Sequence, residues 1–313
     1  MGKIRTSAIA LFFALLLGSC AKEGNVASET APQVENHKVS LSFFEETIES
    51  ISANAAAKTR AGDSEASPLK KAHLYSDLQV CLIPKDNPNN VSYLVSQDST
   101  SADFGKVELS VPYGEYTLIA IAAKTNLQQT KRVSVRSTTE VTFPDDMITD
   151  MAYASQDITI AKEELRKAEN VALKRGVSSF TLTSSDKVPD NAASAEFVIS
   201  GSCGKVFDPS TGFCKSKETI TKTFNIEDAN LKGKAVSIAL YALLSSNDQS
   251  DINVTATMKD NGGNVIKVCS FTDVHLVIGQ RTTYKGPIFS FPADVAFSIS
   301  DVTLEDSGYG KTF

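Results

Sequence analysis

Cysteine is the residue type whose position in this sequence most directly predicts chemistry. Cys20 follows a positively charged start, an apolar run over residues 9–17 and the small residues Gly18 and Ser19. This order is typical of a secretory signal, and the run is far shorter than the ~20 apolar residues of a membrane-spanning helix. We therefore predict a lipoprotein signal peptide over residues 1–19, cleaved before Cys20, with lipid attached to that cysteine. The alternative is an ordinary signal peptide that ends near a cysteine.

The other four cysteines fit an exported chain, since an even number of thiols in an oxidising compartment permits two disulfides. Cys203 and Cys214 flank a turn predicted at residues 208–212, and direct cross-strand pairing would bring them together unless a bulge shifts the register. A Cys203–Cys214 disulfide and a pair of free thiols are both open interpretations. Cys81 and Cys269 lie in apolar, strand-like runs, where buried free thiols are expected.

Histidine, which many metal sites and nucleophilic enzymes use, is scarce in this sequence. The three histidines, His37, His73 and His275, lie far apart, and none has the neighbours of a metal-ligand motif or of a nucleophile with its base. The acidic pairs at residues 145–146 and 163–164 are interpreted as solvated surface charge. We therefore expect no enzyme activity, no catalytic residue, no metal site and no cofactor.

The charge balance excludes one class of partner. The 313-residue chain has 31 Lys and Arg against 37 Asp and Glu, a formal net charge of −6. An acidic surface does not attract the phosphates of a nucleic acid, so no nucleic-acid partner is expected. The hydrophobic content of 42% is that of an ordinary globular protein.

The elements that must position these side chains are short stretches rich in β-branched and aromatic residues. Turns rich in Gly, Pro, Asn and Asp separate them, such as the hairpin turn at residues 259–264. This spacing predicts an all-β protein built of antiparallel β-sandwiches. The charged residues 161–170 show no strand alternation and are interpreted as a linker or short helix between two domains. We predict a lipidated tether at 20–36, an N-terminal β-sandwich domain at 37–165 and a C-terminal one at 166–313.

The region after the first predicted strand, residues 39–43, is a candidate for proteolytic processing. Residues 58–68 are small, polar and punctuated by Gly and Pro, which is typical of an exposed loop. Arg60 lies inside this loop, where it is a target for a trypsin-like protease. The alternative is a solvated loop arginine.

Several segments of the chain carry a resemblance to a known family. They are the turn and strand at 111–118, the segment at 188–192, the hairpin at 207–212, the segment at 279–286 and the pair Lys22-Glu23 after the lipid site. In these features the chain resembles the fimbrillin-like lipoproteins of Bacteroidales, the stalk, anchor and tip subunits of type V pili. The resemblance extends over most of the chain that follows Cys20.

The resemblance implies two tandem β-sandwich domains of transthyretin-like type in a surface-exposed lipoprotein of the outer membrane. It also implies that an arginine-specific protease cuts between Arg60 and Ala61 and removes the strand at 39–43. The vacated groove then accepts a strand from a neighbouring pilus subunit by β-strand addition. Anchor-type subunits of the family keep their lipid and skip the cut. The end of the chain, residues 294–304, is either a donor strand or the last strand of the second domain folded in place.

Two functional hypotheses from different classes follow. The first is a structural subunit of a cell-surface fimbria involved in adhesion, with other pilus subunits as partners through strand exchange. The second is a surface lipoprotein that binds a glycan or another ligand. Exposed aromatic platforms would favour the second, whereas the sequence has no Trp, which favours the first. A secreted hydrolase has no supporting motif.

Overall fold

The computed structural model describes residues 36–45, 68–125, 132–290 and 297–303. These residues form strands almost throughout, with one short helix and a 3-10 turn at Pro144–Asp146. The elements are β1 (Asn36–Glu45), α1 (Pro68–Ala72), β2 (Asp77–Pro84), β3 (Tyr93–Asp98), β4 (Lys106–Pro112), β5 (Gly114–Ala123), β6 (Ser134–Ser137), β7 (Glu140–Thr142), β8 (Met151–Ile160), β9 (Arg166–Arg175), β10 (Ser178–Ser184), β11 (Ala192–Gly201), β12 (Cys203–Gly204), β13 (Phe207–Asp208), β14 (Phe213–Cys214), β15 (Ile220–Asn225), β16 (Ser237–Leu244), β17 (Gln249–Asp260), β18 (Val265–Val277), β19 (Gln280–Gly286) and β20 (Ser298–Thr303).

Two sequence patterns account for these strands. In β1, alternate residues are buried, as a strand with one face on a core requires. In β2 and β5, long runs of consecutive apolar residues are buried, because both faces of these strands are covered. The all-β fold predicted from the spacing of short strands is confirmed.

A seven-stranded sheet in the order β3-β2-β5-β8-β9-β1-β4 holds the N-terminal part of the chain. Strand β1 lies between β9, to which it is parallel, and β4, to which it is antiparallel. Strands β8 and β9 share the two residue pairs Ala152–Arg175 and Tyr153–Lys174. Residues of β2, β5 and β8 on one side of this narrow junction pack with residues of β9, β1 and β4 on the other side in one hydrophobic core. The seven-stranded sheet therefore encloses this core.

A side chain bridges the two outer strands of this sheet. The amide of Gln97 on β3 donates from Nε2 to the carbonyl of Lys106, at 2.7 Å, and its Oε1 accepts from the backbone N–H of Gly105, at 2.9 Å. The side-chain amide of Gln97 therefore makes the same kind of hydrogen bonds between β3 and β4 that a backbone peptide group makes between paired strands. These bonds cover the Gly105 N–H and the Lys106 carbonyl, which an open sheet edge would expose.

Three further sheets carry the rest of the strands. One has the order β12-β16-β10-β19-β20, and another has the order β15-β11-β17-β18. The third joins β6 and β7 to β13 and β14, so it combines strands from the two predicted domains. A second hydrophobic core unites these sheets with the outer faces of β2 and β5, including Cys81, Ile83, Ile119 and Ile121.

The prediction of a linker or short helix at 161–170 is wrong in its second half. Residues from Arg166 onward form β9, which pairs with β1 over eight residues, from Lys38–Arg166 to Glu45–Leu173. The first half of β9 is charged and largely exposed, which hides the alternation, whereas Val171 and Leu173 further along are buried. The first sheet therefore continues to Arg175, and the two-domain division at 165/166 stays a prediction.

The cross-strand pairing predicted for Cys203 and Cys214 is also wrong. Cys214 lies opposite Phe207 in the short β13–β14 hairpin, whereas Cys203 lies opposite Leu244 on β16. The residue opposite Cys214 therefore lies four positions nearer the turn than Cys203, the partner expected for direct pairing. Both thiols, like those of Cys81 and Cys269, are free and buried in the structure. The Cys203–Cys214 disulfide stays the untested alternative to these free thiols.

Several predicted features lie outside the described residues. They are the signal peptide at 1–19, the lipid site Cys20, and the processing site at Arg60 and Ala61. Among the residues that the structure describes, no helix is long and apolar enough to cross a membrane. Strand β20 lies in place beside β19.

Candidate functional site

The site with the clearest functional geometry is the position of β1. We define the β1 groove as the backbone edges of β4 and β9 together with the pockets that receive Val39, Leu41 and Phe43. Strand β1 has residue partners on both sides: those on β4 run from Pro112 to Lys106 and those on β9 from Arg166 to Leu173. It therefore occupies an interior position in the sheet, although it comes first among the described strands.

Three side chains of β1 fill the groove. Val39, Leu41 and Phe43 are at most 1% exposed and belong to the core that the seven-stranded sheet encloses. Their two-residue spacing places all three on one face of the strand. Full burial of such a side chain stabilises a fold by roughly 1.5–3 kcal/mol, so these pockets recognise an alternating apolar strand.

A buried ion cluster holds the C-terminal end of β1. The guanidinium of Arg175 on β9 donates from Nε to Glu45 and from Nη1 to Asp150. The hydroxyl of Tyr75 donates to the same Glu45 oxygen at 3.1 Å, and the Arg175 guanidinium lies 5.5 Å from the centre of the Tyr75 ring. Glu45 thus binds both partners across the end of the groove.

The electrostatics of this cluster follow from its burial. The Arg175 side chain is 6% exposed, and those of Glu45 and Asp150 are 11% and 14% exposed. Although burial opposes the charge, Asp150 and the other anionic neighbours keep the pKa of Arg175 above its ordinary value. Burial raises the pKa of Tyr75 far above its ordinary value, so this hydroxyl stays a donor. These side chains therefore form a charged cluster with little exposure to water. Removal of one charged partner from such a cluster lowers the free energy of unfolding substantially.

His37 holds the N-terminal end of β1. Its fully buried ring places Nδ1 2.9 Å from the carbonyl oxygen of Glu164 and lies edge-on to Tyr113, at 6.2 Å between ring centres. The Nζ of Lys162 lies 5.7 Å from the centre of the same Tyr113 ring. His37 Nε2 has no hydrogen-bond partner among the described residues. The ring therefore serves packing at the start of the groove.

The structure separates the other histidines from any common site. His275 pairs with Asp251 on the surface, with Nδ1 2.9 Å from Oδ1, and the backbone of His73 follows α1 at a positive φ of 54°. Within the described ranges, no group of three or more His, Cys, Asp or Glu side chains is arranged to hold a metal ion.

The sequence predicted strand β1 but not the ion cluster at its C-terminal end. The alternation around residues 39–43 predicted β1, whereas Arg175, Asp150 and Tyr75 come from distant parts of the chain. The one available signal was Glu45, a carboxylate that directly follows an apolar strand face.

Comparisons with known proteins bear on this fold. A family model described as fimbrillin-A associated anchor proteins Mfa1 and Mfa2 matches residues 86–288, more than half of the 313-residue chain. No curated protein matches the chain.

Solved structures with a similar strand arrangement include two from the Bacteroidales. The fimbrial anchor protein Mfa2 from Porphyromonas gingivalis is 11% identical, with a TM-score of 0.44, over 86% of this chain and 98% of that one. A candidate adhesin from Bacteroides ovatus is 12% identical, with a TM-score of 0.48, over 86% of this chain and 94% of that one. The assignment itself rests on the family model: this chain belongs to the family of fimbrillin-A associated anchor proteins Mfa1 and Mfa2.

Proposed function

We propose that this chain is a structural subunit of a cell-surface fimbria, involved in adhesion, that joins its neighbours by strand exchange at the β1 groove. Family membership supports the fimbrial, structural role. The observation that carries the assembly mechanism is the place of β1 in the fold. It is an interior strand of its sheet, and yet it precedes residues 46–67, which contain Arg60.

A cut between Arg60 and Ala61 would divide the fold at this point. Strand β1 would lie on one side of the cut and every later described element on the other. Only hydrogen bonds to β4 and β9, the pockets of Val39, Leu41 and Phe43, and the end contacts would then hold β1. A strand that competes for the same contacts can replace it.

An emptied β1 groove would strongly favour refilling. Loss of β1 exposes the edges of β4 and β9 and opens apolar pockets to water, and both changes are unfavourable. A strand from a neighbouring subunit would restore the main-chain hydrogen bonds, with specificity set by apolar side chains at alternate positions. The partners are therefore other fimbrial subunits.

Lipid on Cys20 would bring the subunit to the outer membrane and hold it there. Cys20 lies on the same side of Arg60 as β1, so the cut would release lipid and strand together. An uncut chain would keep both, and the lipid would then be a permanent anchor at the cell surface.

The test uses the full lipidated chain and an arginine-specific protease, with the products run on a gel without boiling. The wild type should lose its lipidated N-terminal piece and form a ladder of stable oligomers. Arg60→Lys should remain uncut and monomeric, whereas the control Arg136→Lys, at an exposed position on β6, should behave as the wild type. An intact wild-type chain would contradict strand exchange and favour a permanently anchored subunit. A cut chain that stays monomeric would also contradict strand exchange.

A further inference from the structure

Two large apolar side chains are exposed at the end of the first sheet where β1 begins. Tyr113 lies in the turn between β4 and β5 and is 51% exposed, and Leu165 directly precedes β9 and is 62% exposed. The start of β1 is at the same end, because Asn36 lies opposite Pro112. We define the tether-end patch as the exposed surface of Tyr113, Leu165 and the exposed Lys162.

Contacts with β1 bring the parts of this patch together. The carbonyl of Leu165 accepts a hydrogen bond from the backbone N–H of Lys38, at 3.1 Å. The ring of His37, the preceding residue, contacts the carbonyl of Glu164 and lies edge-on to Tyr113. Tyr113 on the β4 side and Leu165 on the β9 side therefore flank the first residues of β1.

The patch combines the side chains that a phospholipid interface favours. Tyrosine has an apolar ring and a polar hydroxyl, and it is enriched where the acyl chains of a bilayer meet the headgroups. The Nζ of Lys162 lies 5.7 Å from the centre of the Tyr113 ring, and a lysine can keep its apolar stem at such a boundary and its ammonium among the phosphates. The exposed Arg166 is offset by the exposed Glu163, so a zwitterionic surface fits the patch better than a strongly anionic one.

The chain that leaves this end of the sheet is short. Residues 20–36 connect the predicted lipid site to the first described residue, and a chain of this length spans at most about 55 Å even when fully extended. Lipid on Cys20 would hold the patch within that distance of the bilayer. Contact between patch and bilayer is then intramolecular, so even a weak patch can make it.

We propose that the tether-end patch lies against the phospholipid bilayer that holds Cys20. The inference rests on the lipid proposed for Cys20, but not on strand exchange. Tyr113 and Leu165 enter the headgroup region, and the ammonium of Lys162 contacts the phosphates. This contact turns the start of β1 towards the membrane and its end, which precedes Arg60, towards solvent.

The test uses the absence of Trp from the sequence. Tyr113→Trp gives the chain one tryptophan in the patch. The control Ala102→Trp places one at an exposed position in the turn between β3 and β4. That turn lies at the far end of β1, where the backbone N–H of Phe43 donates to the Gly105 carbonyl, at 2.9 Å.

Each variant, from residue 20 onward, is coupled through the Cys20 thiol to a maleimide phospholipid in phosphatidylcholine vesicles. The other four thiols are buried, so the coupling is selective. Half of the preparations carry bromine, which quenches tryptophan on contact, on the acyl chains. The tryptophan of Tyr113→Trp should lose fluorescence in brominated vesicles and emit at a shorter wavelength than in the uncoupled chain. Ala102→Trp should show neither change.

A second substitution tests the apolar contact itself. Added to Tyr113→Trp, Leu165→Ser should lower the ratio of docked to undocked chains about tenfold, which the quenching measures. The matched control Val268→Ser removes an apolar side chain that is 51% exposed on β18, and it should leave the quenching unchanged.

Absence of quenching in Tyr113→Trp would overturn the proposal and leave the patch to a protein partner. Equal quenching in Ala102→Trp, or full quenching in the Leu165→Ser variant, would overturn it as well. Because the maleimide coupling replaces acylation by the cell, these outcomes do not depend on the natural lipid. Mass spectrometry of the native chain tests the lipid on Cys20 separately.

Discussion

Arg175 on β9 binds Glu45 at the end of β1, although the two residues lie 130 positions apart in the chain. The contact joins the strand that precedes Arg60 to the body of the fold. Because Arg175 also binds Asp150, one guanidinium pairs with two carboxylates in a buried setting.

Replacement of Arg175 by Met should therefore strongly destabilise the fold. The variant leaves Glu45 and Asp150 close together, buried and without their cation, which typically costs about 3–5 kcal/mol in the free energy of unfolding. Urea unfolding followed by circular dichroism measures this loss. The control Lys85→Met breaks the exposed Lys85–Asp157 pair and should leave the unfolding midpoint unchanged. Equal effects of the two variants would show that the cluster does not hold β1.

Adjacent phenylalanines on β1 offer a matched test of the groove. Phe43 is fully buried, whereas Phe44 points to the other face and is 37% exposed. Phe43→Ala should lower the free energy of unfolding by about 3–5 kcal/mol, and Phe44→Ala by about 1 kcal/mol or less. The same urea titration measures both. Similar losses for the two variants would contradict the orientation of β1.

The Gln97 bridge should contribute to closure of the first sheet. Gln97→Ala removes the two hydrogen bonds to the backbone of Gly105 and Lys106, so we expect a loss of about 1–3 kcal/mol in the free energy of unfolding. Hydrogen exchange at the Gly105 amide should also accelerate. Gln156→Ala, at an exposed position on β8, is the control and should change neither quantity. An unchanged exchange rate at Gly105 in Gln97→Ala would refute the bridge.

Asp186 should make stability depend on pH. Burial opposes its charge, but hydrogen bonds from the backbone N–H groups of Ile288, Phe289 and Ser290 hold the pKa of this carboxyl below its ordinary value. A lowered folded-state pKa stabilises the fold above the unfolded pKa of about 3.9, and this contribution is lost as the pH falls.

The melting temperature of Asp186→Asn should accordingly be lower than that of the wild type at pH 6, and this difference should shrink towards pH 3. The isosteric amide keeps the size of the side chain, so the pH-dependent part of the difference reports the charge. A difference of the same size at both pH values would refute this role.

The buried thiols should react slowly in the folded chain. Burial, with a smaller contribution from Cys214, raises the pKa of Cys203 to about 11, so very little thiolate forms at pH 8. Alkylation followed by mass spectrometry should label neither Cys203 nor Cys214 in the native chain, and both in the unfolded chain without reductant. Labelling of the unfolded chain only after reduction would instead demonstrate the disulfide.

The sequence was most informative where a local pattern determines the structure. Alternation predicted β1, and the hairpin turn at 259–264 is present, with a hydrogen bond of 2.9 Å from the Asp260 N–H to the Asn264 carbonyl. Strand β9 was missed because its exposed charges resemble a linker, and only its neighbour β1 reveals it as a strand. The Cys203–Cys214 pairing failed because hairpin register depends on where the turn closes.

The candidate sites depended still more on distant contacts. Glu45, Tyr75, Asp150 and Arg175 come from four separate segments, and no local spacing links them. Side-chain alternation predicts which face of a strand is buried, but not which strands lie beside it.

The mixed pairing of β1 gives the proposed fibre a direction. A replacement strand must run parallel to β9 and antiparallel to β4 to reproduce both hydrogen-bond patterns. Every subunit would then contact the next in the same sense, as in a head-to-tail assembly. The two ends of such a fibre would be chemically different, one with an unfilled groove and the other with an unused strand, so growth and termination at each end would require different partners.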